Sequence, residues 1–270
     1  MIVLVRGAGD LASGVACRLH RAGLRVAMTE LAQPLAVRRL VSFAEAIYAG
    51  EITVEGITAQ RVKDHSDTLR ILQVMSKGQI PVLIDPQGEA VRTLYPTVIV
   101  DARMTKLPPE QVRHTAKLYI GLGPGFTAGQ NCHAVIETQR GHFLGRVIWS
   151  GGSQPDTGLP EIVGNQSEER VLRAPGDGSF TGRAQIGQTI EAGQTIAEVG
   201  GQTITAPFGG ILRGLLHDGL EVQRGLKVGD LDPRHDPSIC STVSDKALAV
   251  GGAVLEAILS RPELRSQMWA

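Results

Sequence analysis

The chain has 270 residues, 42% of them hydrophobic, which is enough for two or three modest domains. Lysine plus arginine and aspartate plus glutamate both total 27, so no net field would recruit nucleic acid or an anionic membrane, and aromatics at 4% argue against a base-stacking surface. No apolar run approaches the ~20 residues that span a bilayer. Met1 leads almost directly into an apolar run with Arg6 and Asp10 close behind, so no signal peptide is expected. Cys17, Cys132 and Cys240, without a C-x-x-C spacing, suggest neither a disulfide framework nor a zinc knuckle, and no metal is expected. A reduced, cytoplasmic protein follows as the expectation.

Ile2-Val3-Leu4-Val5 is β-branched and short enough for a buried strand. Gly7-Ala8-Gly9 follows, with Ala12 three residues on, matching the G-x-G-x-x-G/A dinucleotide fingerprint. Gly7 permits a tight turn, Gly9 presents no side chain to a phosphate, and Ala12 lets a helix sit close to the strand. Leu11, Val15 and Leu19 recur every four positions and predict a helix to Ala22, whose N-terminus would face a ligand over the turn. Leu24–Met28 reads as a second strand, and Glu30 follows at the distance of a ribose-binding acid. Strand, turn, helix, strand and acid in this order predict a Rossmann-like start. Arg6 and Asp10 depart from the ordinary motif: Asp10 either caps the helix or repels a bound pyrophosphate unless Arg6 offsets it.

Further on, Arg38 and Arg39 lie near the second strand in sequence and would either meet a phosphate or form a solvated face. Glu51–Val62 alternates like a hairpin around Gly56, and Leu69, Leu72 and Met75 mark a helix. Pro81–Asp85 and Val98–Asp101 read as buried strands, each closing on an aspartate. Ligands in open α/β sheets collect at such strand ends, which makes Asp85 and Asp101 candidate site residues. Gly121, Gly123, Gly125 and Gly129 follow a strand and could form an anion-binding nest, though neither a P-loop lysine nor a nucleophile-elbow serine is present. Around the next hairpin, His133, Glu137, Arg140, His142 and Arg146 either line it or include an acid/base pair.

The C-terminal third repeats itself. Ala174-Pro175 recurs as Ala206-Pro207, an offset of 32 residues that also pairs Gly178 with Gly210, Gly187 with Gly219 and Gly193 with Gly225. Two such half-repeats resemble the biotinyl/lipoyl carrier fold, but the turn Val199–Thr203 holds no lysine, so neither biotin nor lipoate is expected. Asp230, Asp232, His235 and Asp236 suggest a polar turn rather than a metal site, and a helix is predicted from about Ser244 to before Pro262. The expected fold class is thus α/β, with a Rossmann-like nucleotide-binding domain over 1–105 and a glycine-rich α/β middle segment over 106–168. A biotinyl/lipoyl-like barrel sandwich is expected over 169–235 and a terminal helix over 236–270.

Val5–Ala12, Thr29–Arg39, Gly121–Phe126, Val135–Gly145, Ala206–Arg234 and Val243–Ile258, as an ordered set, resemble the YqeB-type accessory proteins of selenium-dependent molybdenum hydroxylase systems. The resemblance implies an accessory or maturation factor that binds a nucleotide-containing or molybdopterin-type cofactor and works with a molybdenum hydroxylase apoprotein. No nucleic-acid or membrane partner is expected, and homo-oligomerisation is left open. The cofactor-binding candidates are Arg6, Gly7, Gly9, Asp10, Glu30, Arg38, Asp101, Gly121, Gly123 and Gly125. No catalytic residue is assigned, and whether the chain is an enzyme stays open. An NAD(P)-dependent oxidoreductase and a non-catalytic docking module are the alternatives.

Overall fold

The structure, a computed structural model, describes residues 1–110, 116–156, 158 and 168–268. Two compact units divide the chain: one comprises Met1–Pro34, Phe43–Asp156 and Val243–Ala270, the other Leu35–Ser42 and Thr157–Thr242.

The first unit begins with β1 (Ile2–Arg6), α1 (Asp10–Arg21) and β2 (Arg25–Glu30). Gly9 is the N-cap of α1 and offers no capping side chain; Asp10 opens the helix, and Arg18, His20 and Arg21 close it, the charge order that suits the helix dipole. Next come α2 (Ala46–Ala49), the hairpin β3 (Glu51–Val54) and β4 (Ile57–Val62), α3 (Thr68–Ser76), β5 (Ile80–Ile84), α4 (Ala90–Leu94) and β6 (Val98–Asp101). The strands β7 (Leu118–Leu122), β8 (Thr127–Ala128), β9 (Ala134–Ile136), β10 (Val147–Ile148) and β11 (Gly151–Gly152) follow, and α5 (Asp245–Leu259) and α6 (Pro262–Arg265) return to this unit from the chain's end.

One sheet organises it, in the order β10-β9-β7-β6-β1-β2-β5-β4-β3. From β9 to β4 every neighbouring pair is parallel, and β10 and β3 add antiparallel edges. Such buried parallel strands read as continuous apolar runs, as Val3-Leu4-Val5 and Val98-Ile99-Val100 do, all at 0% exposure. Leu4, Ala27, Ile71, Val74, Leu83, Ile99 and Val135 belong to one core cluster. Helix α5 crosses α1 at close range. A Cβ on Gly14 would lie 2.6 Å from Ala247 Cβ, and one on Gly251 would lie 2.8 Å from Gly14 O.

The second unit contains β12 (Val171–Arg173), β13 (Gly178–Gly182), β14 (Thr189–Ile190), β15 (Thr195–Val199), β16 (Gln202–Thr205), β17 (Gly210–Leu215), β18 (Glu221–Val222) and β19 (Lys227–Asp232). They form two antiparallel ladders, β12-β19-β17-β14 and β16-β15-β13-β18. Shifting the first four strands by the 32-residue offset lands on the second four, and the same exchange of halves converts one ladder into the other. Each ladder draws two strands from each half: β13–β15 and β17–β19 pair within a half, and the outer strands of each ladder come from the other half. One repeated glycine pair serves close approach: a Cβ on Gly210 would sit 2.3 Å from Asp232 O, and one on Gly178 would sit 2.8 Å from Gly200 Cα, whereas Gly187, Gly219, Gly193 and Gly225 take positive φ in open space.

The fold class expected from the sequence is overturned. In place of a Rossmann-like domain, a separate glycine-rich α/β segment and a biotinyl/lipoyl-like barrel sandwich stand one nine-stranded mixed sheet and separate antiparallel sheets of two, four and four strands. The physical reason lies in pairings of long sequence separation. Leu118–Leu122 pairs in parallel with Val98–Asp101, so the glycine-rich stretch extends the sheet instead of starting a new body.

The α1–α5 crossing makes a prediction in which two effects oppose. Gly14→Ala gains about 1 kcal/mol of helix propensity, but the new methyl meets backbone of α5 and overpacking costs typically about 1–3 kcal/mol. Overpacking should win: the variant should unfold at lower denaturant than wild type, and equal or greater stability would show that the crossing is loose.

Candidate functional site at the carboxyl edge of the parallel strands

Strand β1 lies between β2 and β6, and the chain reaches β2 directly through α1 but returns to the other side of β1 only at β6. In open α/β sheets this reversal opens a crevice at the carboxyl ends of the strands. Arg6 and Asp101 are register partners at the ends of β1 and β6. Arg6 Nη1 donates to Asp101 Oδ2 at 3.2 Å, with both side chains at 2% exposure or less. Arg103 takes the same carboxylate in a fork, Nε to Oδ1 at 3.0 Å and Nη2 to Oδ2 at 2.8 Å. The Tyr119 hydroxyl, from β7, donates to Asp101 Oδ2 at 2.9 Å. Burial first and the Asp101 charge second push the Tyr119 phenol well above its usual pKa, so it stays a donor.

Beside this cluster the glycine turn is held by Glu30. Ala8 N–H donates to Glu30 Oε2 and Leu31 N–H to Oε1, both at 2.8 Å, and Gly7 N–H donates to Thr29 O at 2.8 Å. The acid at the end of β2 is thus bonded to the turn itself. Gly7 has φ +94° and a Cβ there would lie 3.2 Å from Ala102 O, so backbone and packing both ask for glycine. Gly9 is different: its φ is −69°, and a Cβ would meet nothing within 4 Å.

The remaining candidates separate. Arg38 falls in the other unit, where Nη2 donates to Ile239 O and Thr242 O at 3.0 and 3.1 Å. Its strap lies along β17, where Leu215 N–H donates to Val37 O, so Arg38 is committed to backbone carbonyls there. Gly121, Gly123 and Gly125 are accounted for by crowding: added Cβ atoms would come within 2.0 Å of the Phe126 ring, 2.4 Å of Thr138 Oγ1 and 2.3 Å of Leu107 O. Asp85 caps α4, accepting from Glu89 N–H and Ala90 N–H. His133 accepts from Tyr119 N–H through Nδ1, Glu137 accepts from Gln139 and Gln154 N–H, and Arg140 pairs with Asp245. The bonds named tie these three to separate partners. Asp230 and Asp232 are buried strand residues engaged by Arg170, Arg213 and Arg234, not a polar turn.

Reading the sequence missed Arg103, Tyr119 and Glu110. A signal was available for Arg103: Asp101-Ala102-Arg103 closes a strand just as Asp232-Pro233-Arg234 does, and in both the arginine folds back on the aspartate two residues earlier. Tyr119 carries no such mark.

No family model matches the chain. The uncharacterized protein YqeB of Escherichia coli K12 is 45% identical over 258 residues, which are 96% of this chain and 47% of that protein. Over this span the chain is similar to that protein. It covers about half the length of the curated relative it matches. Solved structures similar to it include an aspartoacylase family protein from Mesorhizobium loti, 11% identical over 85% of this chain and 83% of that one with a TM-score of 0.25. A succinylglutamate desuccinylase from Silicibacter sp. is 12% identical over 85% and 84%, also with a TM-score of 0.25. Likeness at that score carries no weight for chemistry.

Two consequences can be measured. Asp101→Asn leaves Arg6 without its buried counter-charge, and removing one partner of a buried pair costs about 3–5 kcal/mol; a loss below about 1 kcal/mol by chemical denaturation would show that exposed Glu110 suffices to hold Arg6. Burial raises the Glu30 pKa above its ordinary value of 4.5, against the opposing pull of the Leu31 and Ala8 N–H groups. A raised folded-state pKa means that the contribution is complete below the unfolded value and is lost as pH rises through the folded one. The stability of wild type relative to Glu30→Gln should therefore be greatest in acid and decline as pH rises past 4.5; a difference flat in pH would contradict this.

Proposed function

We propose that this chain binds a nucleotide-containing or molybdopterin-type cofactor at the carboxyl edge of the nine-stranded sheet, and serves as an accessory or maturation factor for a molybdenum hydroxylase. Gly9 is the observation that carries the binding half of this reading. Neither its backbone angles nor its neighbours among the described residues require a glycine, yet it sits at the N-cap of a 12-residue helix beside the strand-order reversal. A glycine there leaves approach to the first-turn N–H groups open, and those groups and the helix dipole favour phosphate. The hydroxylase half rests on the family resemblance.

The deciding experiment is mass spectrometry of whatever small molecule leaves the purified protein on denaturation, backed by titration with NAD, NADP, CTP and a pterin dinucleotide. A pterin or cytidine-containing species is expected. A nicotinamide dinucleotide would assign an oxidoreductase instead, and an empty protein that ignores all four ligands would overturn cofactor binding. Because a Cβ at position 9 meets nothing within 4 Å, Gly9→Val should still fold cooperatively, with only the modest loss of a poorer N-cap residue, and lose ligand affinity. Unchanged affinity would remove Gly9 from the site.

A further inference from the structure

Two guanidinium groups at the carboxyl edge converge on one surface carboxylate. Arg103 Nη1 donates to Glu110 Oε2 at 3.1 Å, and Arg6 Nη2 lies 3.9 Å from the same oxygen. The Glu110 side chain is 78% exposed, against 2% for Arg6 and 22% for Arg103. Asp101 grips both arginines from within, so the two forks are positioned independently of Glu110. Glu110 is the exchangeable member: an exposed ion pair is weak and screened, whereas a buried, hydrogen-bonded guanidinium keeps its place. The intervening segment is strained, with Met104 at φ 56° and Lys106 at φ 63°, left-handed conformations that side chains other than glycine's adopt at a cost. On the other flank a Cβ at Gly88 would lie 3.0 Å from Arg6 Nη2, so glycine leaves room for the guanidinium.

We propose that Arg6 and Arg103 form a phosphate-binding fork, and that Glu110 occupies it as an internal surrogate which the phosphate or diphosphate of the ligand displaces. This rests on the reading that the carboxyl edge binds a phosphate-bearing cofactor, and deepens it by naming the groups that take the charge. Phosphate brings more charge than a carboxylate, and more acceptor oxygens, to the same planar donors. The Arg103 hydrogen bond first and its charge second hold Glu110 below the usual carboxylate range, so Glu110 is a competing anion at neutral pH.

Calorimetric titration of the full chain with inorganic pyrophosphate tests the fork. Glu110→Gln removes the competitor and should tighten binding by about five-fold, the scale of an exposed ion pair. Arg103→Gln should weaken binding about tenfold or more, as loss of a charged hydrogen bond does, and Arg103→Lys should fall between. Equal affinity in wild type and Glu110→Gln would overturn the proposal, as would Arg103→Gln binding like wild type with a normal melting curve. The nucleotide titrations keep the two readings apart. Arg103-dependent pyrophosphate binding with no response to any nucleotide would keep the fork and remove the cofactor. Nucleotide binding lost in Gly9→Val but indifferent to Arg103→Gln would keep the cofactor and remove the fork.

Discussion

The Asp101 carboxylate is the constraint on which the carboxyl edge depends. It is 1% exposed and takes hydrogen bonds from Arg6, Arg103 and Tyr119, on β1, the loop after β6, and β7. A carboxylate buried this deeply is costly unless it is paired and hydrogen-bonded. Once it is, it orders three neighbouring segments at a single point. Arg6 could not remain buried without it, and Arg103 would have no reason to fold back across the strand end. The pair adds little net stability against an apolar isostere, so its value is positional: it sets two guanidinium groups at the place where strand order reverses.

Around that point the glycines divide by cause. Gly121, Gly123 and Gly125 make room for Phe126, Thr138 and Leu107, and Gly14 and Gly251 let α1 and α5 touch. Gly7 answers both to its backbone angle and to Ala102 beside it, and Gly9 to neither backbone nor neighbours. A glycine-rich loop after a strand is therefore poor evidence for an anion nest until crowding has been checked. Here the nest expected at 121–125 is a packing feature, while the turn at 7–9 retains a position that packing does not explain.

Charge follows the same division between structure and availability. Arg38, Arg140, Arg213 and Arg234 are engaged by carbonyls or carboxylates within their own units. Arg6 and Arg103 are also paired, yet with an exposed glutamate as second partner. With equal totals of basic and acidic residues, net charge says nothing about where an anion could be received. Pairing geometry does.

The sequence alone determined most local elements, because their causes are local. Apolar runs mark β1, β5 and β6, alternation around Gly56 marks the β3–β4 hairpin, and Ser244 and Pro262 bracket α5. Arg6, Asp101 and the glycine turn were legible as strand-end residues, and the 32-residue repeat was legible as an offset. Which strands pair was decided only by the tertiary structure. Strand β7 joins β6, the repeat halves interleave into two ladders, and the strap bearing Arg38 goes with β17 instead of β2. Pairing between distant segments is selected by the burial and hydrogen bonding of the whole sheet, to which local periodicity is blind. Tyr119 and Glu110 enter the site for that reason, each placed by a partner that no local spacing identifies as its own, whereas Arg103 folds back on the aspartate two residues before it.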